Sequence, residues 1–339
     1  MKAAVLHEFK QPLVLEDVPR PVPGPGDLLI ELEACGVCHS DLHVADGDWP
    51  QLAAVAKKPL ILGHEIAGRV VEMGDAVRDF HPGDRVGLPW IFWTCGQCEF
   101  CREGNENLCA KQKITGVTVD GGFAAFVSAP ASHVVRIPEG LSAVNAAPLF
   151  CAGVTVFRAL RQARILPGQR LGIFGIGGLG HLAVQMGREL GAEVIAIDVS
   201  SSKLALAESL GARRCLDASS ANVVKELRAA GGVHVALVTS AARAAYDSAF
   251  YCLRPTGTLL VVGLPAENLC FPPILMAAGE VCIRASAVGT RQDLSDVLAM
   301  AAAGKIHCET TAHPLEEVNA VLNRLRHGQI SGRAVLAAR

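Results

Sequence analysis

The sequence predicts an α/β protein in two parts, a β-rich front half and a doubly wound parallel-sheet half, and three observations predict it. The chain has 339 residues, which at roughly 150 per domain suggests two domains. Its first 150 residues read as short strands broken by Pro and Gly. Near residue 153 the texture changes, and strand-like apolar runs begin to alternate with helix-length stretches rich in Ala and Leu.

In the front half, Leu28 to Glu33 reads Leu-Leu-Ile-Glu-Leu-Glu, with Ile30 and Leu32 alternating with Glu31 and Glu33 at the period of a half-buried strand. Gly68 to Glu72, Asp84 to Leu88, Phe123 to Ser128 and Val134 to Ile137 read the same way, with turns such as Pro82-Gly83-Asp84 between them. In the second half, Leu171 to Phe174, Val194 to Asp198, Val233 to Thr239, Thr258 to Val262 and Cys282 to Val288 are apolar runs suited to a parallel sheet covered on both faces. Between them, Leu179 to Leu190, Lys203 to Leu210, Ala221 to Ala230 and Arg243 to Leu253 carry helical spacing. The tail predicts two more helices, Asp293 to Ala303 and Leu315 to Arg326, then a short strand at Arg333 to Leu336.

Composition narrows the function. Half the residues are hydrophobic and 19% are charged, enough for packed cores and far from a disordered composition. Lys and Arg total 31 against 33 Asp and Glu, with no basic block, so nucleic acid is not an expected partner. The most apolar stretch, Leu171 to Gly180, is half glycine and bounded by Arg170 and His181, which argues against a membrane span. No apolar signal-peptide core follows the N-terminal MKAAVLHEFK, so a reducing, cytoplasmic setting is expected for the 12 Cys. There, cysteines bind metal or pack more often than they pair.

Cys95, Cys98, Cys101 and Cys109 fall within 15 residues, at spacings typical of zinc ligands. Four thiolates leave no open position, so the site should be structural, fixing a loop with too few apolar residues to hold itself. An iron–sulfur cluster takes the same four ligands, and four unrelated cysteines is the blander reading. Upstream lie Cys35-Gly36-Val37-Cys38-His39-Ser40-Asp41-Leu42-His43 and Gly63-His64-Glu65, and Cys151 sits where the texture changes. One His with two Cys would give the three-ligand set of a catalytic zinc, whose fourth position is left for water or substrate. Cys35 and Cys38 also form a CxxC, but that redox motif is expected to open a helix in a βαβ unit, and here it follows a β-rich run.

Gly175-Ile176-Gly177-Gly178-Leu179-Gly180 is a GxGxxG between a predicted strand and a predicted helix, where backbone amides and the helix N-terminus can meet a pyrophosphate. The next strand ends in Asp198, 18 residues after Gly180. An acidic residue there accepts the adenosine ribose hydroxyls of NAD and repels the extra phosphate of NADP. No Arg follows Asp198 at once, although Ser200, Ser201, Ser202 and Lys203 could soften the discrimination.

In these motifs, and in Cys151-Ala152-Gly153-Val154-Thr155 and Gly177-Gly178-Leu179-Gly180-His181, the sequence resembles the zinc-dependent medium-chain alcohol dehydrogenases, especially the bacterial and yeast enzymes. The resemblance runs over essentially the whole chain, to Gly328-Gln329-Ile330-Ser331-Gly332-Arg333. It implies a GroES-like catalytic domain made of 1–152 and 289–339, a Rossmann NAD-binding domain of 153–288 inserted between them, and an active site in the cleft. By the same resemblance Cys38, His64 and Cys151 hold a catalytic zinc, with Glu65 behind the metal as an outer or exchange ligand and Asp41 orienting His64. Ser40 takes the alcohol proton and His43 passes it towards solvent. His39 and Arg333 match pyrophosphate contacts, Thr155, Val262, Leu264 and Val288 match neighbours of the nicotinamide half, and Lys203 matches a lysine near the adenosine ribose. Trp49 and Trp90 stand where relatives place bulky residues against the substrate, which favours small primary alcohols. NAD, two zinc ions per subunit and a homotetramer complete the implied picture.

Ser40 departs from the Thr of many relatives, losing a methyl group and keeping the hydroxyl. Cys215, Cys252, Cys270, Cys282 and Cys308, on or beside core-type runs, read as bystanders, and so does Cys35. Trp93 reads as a partly exposed aromatic in preference to a subunit contact, and His7, His81, His133, His234, His307, His313 and His327 as satisfied or solvated histidines without partner spacing. Two other readings compete. An NADP-dependent aldehyde reductase of the cinnamyl-alcohol type shares both zinc sets and is opposed by Asp198, while a non-catalytic NAD-binding sensor would leave a complete ligand set idle.

Overall fold

The computed structural model, which describes residues 1–220, 222–265 and 267–338, divides into two compact units. The first comprises Met1–Val154, Thr290–Ala303 and the stretch from Cys308 to the end of the chain, and the second comprises Thr155–Gly289 with Gly304–His307.

In the first unit, Asp27–Val37 is the central strand of a seven-stranded sheet. The order is Val135–Arg136, Arg85–Leu88, Glu65–Met73, Asp27–Val37, Arg333–Ala337 and Thr310–His313, with Phe126–Pro130 also pairing to the central strand. Ile30 and Leu32 are buried and Glu31 is exposed, as the alternation requires. A smaller sheet runs Val14–Asp17, Lys2–Leu6, Leu60–Ile61. Leu6, Leu28, Leu60, Leu62, Ile66 and Phe123 are fully buried in the core of this unit. Strand register sets which side chains meet, because Gly36 lies opposite Glu65 on one side and Val335 on the other. The two strands flanking Asp27–Val37 thus bring Glu65 and Arg333, both first residues of their strands, to the end where Val37 leads into Cys38.

The second unit holds a parallel sheet of six strands in the order Arg214–Asp217, Glu193–Asp198, Arg170–Phe174, Val233–Val238, Leu253–Val261, Cys282–Ala285. In chain order this is 3-2-1-4-5-6, the arrangement of a Rossmann dinucleotide-binding sheet. The four predicted helices are present as Gly180–Glu189, Ser201–Ser209, Val223–Ala229 and Arg243–Tyr251, and Ala221, expected to open the third, lies outside the described residues.

Several elements differ from expectation. The strand expected from Phe123 begins at Phe126, because Ala124 makes only an isolated bridge to Ala3. That expected over Cys282 to Val288 ends at Ala285, and Val288 has φ 40°, outside any strand geometry. A helix over Ala152–Ala163 was not expected: its first turns carry Gly153, Val154, Thr155 and Val156, residues of low helix propensity, and burial overrides them. Pro273–Gly279 is a second unforeseen helix. Cys270 and Cys282, expected on or beside core-type runs, are exposed: Cys270 lies outside any strand, and Cys282 opens the strand at the edge of the sheet. Among the described residues, no single helix is long and apolar enough to cross a membrane.

Candidate functional site

Four side chains from three parts of the first unit converge. Cys38 caps the helix His39–Asp46, His64 and Glu65 enter a sheet strand, and Cys151 follows the 3-10 turn Ala147–Phe150. Their donor atoms all lie within 4.8 Å of one another, and all four residues are buried. The Cys38 and Cys151 sulfurs are 3.9 Å apart. Two thiolates at about 2.3 Å from a tetrahedral zinc stand about 3.8 Å apart, so the spacing already suits that ion. Cys38 is held well below the usual thiol range, first by its hydrogen bond with Cys151, and Cys151 is pushed up by the same bond and by burial. The pair thus shares a proton that a divalent cation would displace.

Asp41 sets the histidine. Its Oδ1 accepts from His64 Nδ1–H at 2.8 Å and from the Gly63 amide at 3.2 Å, and its Oδ2 accepts from the Cys38 amide at 2.8 Å. His64 therefore carries its proton on Nδ1, and its Nε2 is buried with no hydrogen-bond partner. A buried ring nitrogen with no partner, beside two sulfurs, is what a metal ligand looks like without its metal. Glu65 is bonded through Oε1 to Arg333 Nη2 while Oε2 has no partner. Burial pushes its carboxyl up to about 8 against the opposing charge of Arg333. Arg333, matched by resemblance to a pyrophosphate contact, is itself only 3% exposed.

Around this set, Ser40 Oγ is 3.8 Å from Cys38 Sγ, and Trp90 meets the His64 ring edge-on at 4.8 Å. Trp49 packs on His43 at 4.6 Å. His43 Nδ1–H donates to Asp48 Oδ2 at 2.9 Å, which leaves Nε2 as the basic nitrogen. Asp48 was not singled out from the sequence; its signal is a carboxylate five residues after His43, across the turn at Gly47. His39 is exposed at the start of its helix.

The second cluster is Cys95, Cys98, Cys101 and Cys109. Sulfur separations of 3.9 Å for Cys95–Cys101 and 3.6 Å for Cys95–Cys109 bracket the tetrahedral value. Cys95 is held down at about 6, first by the Gln97 amide donating to its sulfur, and burial raises Cys101 to about 12. Trp93, just before this lobe, is half-buried.

In the second unit, Gly175 takes φ 100°, open only to glycine at low cost. A Cβ on Gly180 would lie 2.0 Å from the Gly175 carbonyl oxygen, whereas one on Gly177 would meet nothing within 4 Å. The loop is thus closed on its protein side and open where backbone can approach a phosphate, with Gly178 and Leu179 leading to the helix N-terminus. Asp198 is 8% exposed and accepts from the Ile176 amide at 2.6 Å and the Ser200 amide at 2.9 Å. Lys203 is half-buried on the next helix, Thr155 and Val262 are buried, and Leu264 is half-exposed.

Known proteins share this organisation. Residues 24–139 match the alcohol dehydrogenase GroES-like domain, and residues 178–303 match the zinc-binding dehydrogenase family. An alcohol dehydrogenase of Geobacillus stearothermophilus is 44% identical over 339 residues, 99% of each chain. The solved alcohol dehydrogenase of Aeropyrum pernix superposes with a TM-score of 0.94 at 39% identity and covers 100% of both chains. A cinnamyl alcohol dehydrogenase from Sorghum bicolor gives 0.90 at 30% identity, covering 99% of this chain and 97% of that one. Identity at this level along the full length goes beyond a shared nucleotide-binding half, and the chain belongs to the zinc-type medium-chain alcohol dehydrogenase family.

Proposed function

We propose that this protein oxidises a small primary alcohol reversibly to its aldehyde with NAD as hydride acceptor, using one catalytic and one structural zinc ion per subunit. The observation that carries the reading is the buried set of Cys38, His64 and Cys151, spaced for a tetrahedral ion and ending in an unpaired His64 Nε2. Three protein ligands would leave the fourth position to the substrate oxygen. When bound, zinc supplies a Lewis acid that lowers the pKa of an alcohol, as it lowers that of water from about 15.7 to about 7, and the dinucleotide supplies a hydride acceptor.

The chain's own residues do the rest. Asp41 fixes the His64 ring and tautomer, so that Nε2 needs no reorganisation. Ser40, beside Cys38, takes the proton of the substrate hydroxyl, and His43, oriented by Asp48, carries it towards solvent. Trp90 and Trp49 close the space beside His64 and His43, excluding water and long or branched substrates. Asp198 selects NAD over NADP by accepting the ribose hydroxyls and repelling a 2′-phosphate, with Lys203 beside that ribose. The remaining residues take the roles that resemblance implies: Glu65 behind the metal, His39 and Arg333 at the pyrophosphate, and Thr155, Val262, Leu264 and Val288 beside the nicotinamide. Residues 1–152 with 289–339 act as the catalytic domain and 153–288 as the NAD domain.

Copies of the chain assemble as a homotetramer in the cytoplasm. Supporting assembly, the helix Pro273–Gly279 has no buried residue, Ile274 is 75% exposed, and the sheet edge at Cys282–Ala285 is open. Sedimentation that finds a monomer would refute the tetramer. A panel of alcohols and aldehydes assayed with NAD and NADP on protein of known zinc content tests the function. Two zinc ions per chain and a higher kcat/KM with NAD are expected, and no alcohol oxidation by the zinc-loaded protein would sink the proposal. The second reading, an NADP-dependent aldehyde reductase, is favoured by one feature, the hydroxyls of half-buried Ser200 and exposed Ser202 just beyond Asp198. Higher kcat/KM with NADP would establish it.

A further inference from the structure

His133, which the sequence offers no reason to single out, is 4% exposed and lies against the entrance of the four-cysteine lobe. Its Nε2 accepts from both the Thr94 amide and the Thr94 hydroxyl, each at 3.0 Å. Because the amide can only donate, Nε2 must be unprotonated, and Nδ1–H donates to Ser132 Oγ at 2.9 Å. Thr94 is joined by a single peptide bond to Cys95, the first thiolate of the lobe.

The other end of the lobe is tied separately. Glu106, three residues before Cys109, is 6% exposed, and its Oε1 accepts from the Arg291 amide at 3.0 Å and from Arg291 Nε at 3.3 Å. Arg291 Nη1 also donates to the Ser132 carbonyl, so one guanidinium links the exit tie to the segment that holds His133. Arg291 is in turn the first residue of the helix Arg291–Ala302, whose Thr290 and Asp293 form a reciprocal capping box. The lobe between these ties contains short helical turns with no buried apolar side chain to anchor them, Glu99–Arg102 and Glu106–Leu108.

We infer that His133 and Arg291 are positioning residues for the lobe's metal: they pin the two ends of the four-cysteine loop so that its thiolates stay gathered, and the metal stays bound. This rests on the reading of the lobe as a zinc site. A loop free at its ends must lose conformational entropy each time four ligands close on an ion, and pinning the ends removes much of that cost in advance. His133 suits the task because it offers an acceptor that stays neutral, whereas a protonated ring would repel the Thr94 donors.

The test follows zinc leaving the full-length protein in a Cys38→Ser/Cys151→Ser background, where the lobe is the remaining site. A chromophoric chelator reports the release rate. His133→Leu and Arg291→Ala should each speed release about tenfold, the lower end of what outer partners of metal ligands contribute. His133→Gln, which restores an acceptor near the place of Nε2, and Arg291→Lys should recover much of the slow rate. Amide hydrogen exchange across 95–109 in the chain with its catalytic cysteines intact should rise in the Leu and Ala variants alone, a second readout if the serine background folds poorly. Release rates and exchange within twofold of the parent overturn the clamp. A parent background that purifies with no zinc sinks the metal reading of the lobe instead, and the two failures are therefore distinct.

Discussion

Asp41 accepts three hydrogen bonds on two oxygens, from His64 Nδ1–H, the Gly63 amide and the Cys38 amide, and so ties two of the expected ligands of the catalytic set to one carboxylate. An Asn has one acceptor oxygen and turns two donors towards the rest, so Asp41→Asn should lower the affinity of the Cys38–His64–Cys151 set for zinc by about 10- to 100-fold. Competition against a chelator measures this, and unchanged affinity would remove Asp41 from its role. Gly36 makes a different demand. A Cβ there would sit 1.8 Å from Glu65 Oε2, so Gly36→Ala must displace the carboxylate that is paired with Arg333. Overpacking of this kind costs about 1–3 kcal/mol, to be read as a lower denaturant midpoint, and a midpoint equal to the parent's would show that Glu65 can move freely. Residue types and local spacing make the four-cysteine lobe, the glycine loop and Asp198 legible in the sequence, while Cys38, His64 and Cys151, far apart in the chain, are drawn together there only by family resemblance. Asp48 and the Gly36–Glu65 contact were not, because each depends on where a turn or a strand register carries a side chain.

At the scale of elements, the inner strands of the parallel sheet, Glu193–Asp198, Arg170–Phe174 and Val233–Val238, are the most legible part, since they are largely buried and read as unbroken apolar runs, whereas the edge strand Arg214–Asp217 has no buried residue and no apolar run to mark it. The front unit was harder. Lys2–Leu6 and Ile91–Trp93 are not legible because strands of five and three residues are too short to show a period. Least legible was the docking of the four-cysteine lobe, where His133 looks in sequence like any isolated histidine. Its environment has a measurable consequence. Burial first, then the nearby charge of Arg291, lower the His133 pKa from 6.5 to about 4, with Glu106 opposing. The unfolded chain therefore takes up this proton at a higher pH than the folded one. Above about 6.5 the interaction costs nothing, and stability falls as the pH drops from there through about 4. Thiolate protonation weakens every version of the protein in acid, so the comparison to make is between the parent and His133→Gln. The parent's advantage in urea midpoint should shrink from pH 7.5 to pH 4.5, and an advantage constant across that range would mean that His133 does not titrate as its surroundings dictate.

For the whole molecule, the sequence read in order cannot show that Arg333, close to one end of the chain, will pair with Glu65, because the contact exists only through strand Arg333–Ala337 lying against Ala34–Val37. Family resemblance supplied the two-ended domain where periodicity could not. Charge is also a property of the whole chain, and here it decides where cofactor choice can come from. A formal net charge of −2 with both signs interspersed gives no long-range field to draw in or repel a phosphate, so on the proposed function discrimination between NAD and NADP would fall to the groups at one strand end. Asp198 is the acidic group there, yet two of its acceptor positions are already used by the Ile176 and Ser200 amides. An ionised carboxylate has about four lone-pair sites, which leaves room for the two ribose hydroxyls without releasing the glycine loop. Asp198→Asn removes the charge and turns an amide donor towards one of those backbone amides. Binding of NAD should therefore weaken through both the ribose and the loop, while NADP loses the loop contact and is relieved of repulsion. The expected result is a fall in the NAD-to-NADP ratio of kcat/KM by about 10- to 100-fold, equivalent to about 1.4–2.8 kcal/mol, with absolute activity on NADP still low because the loop is less well held. A ratio that stays within twofold of the parent's would show that Asp198 braces the glycine loop without choosing the cofactor.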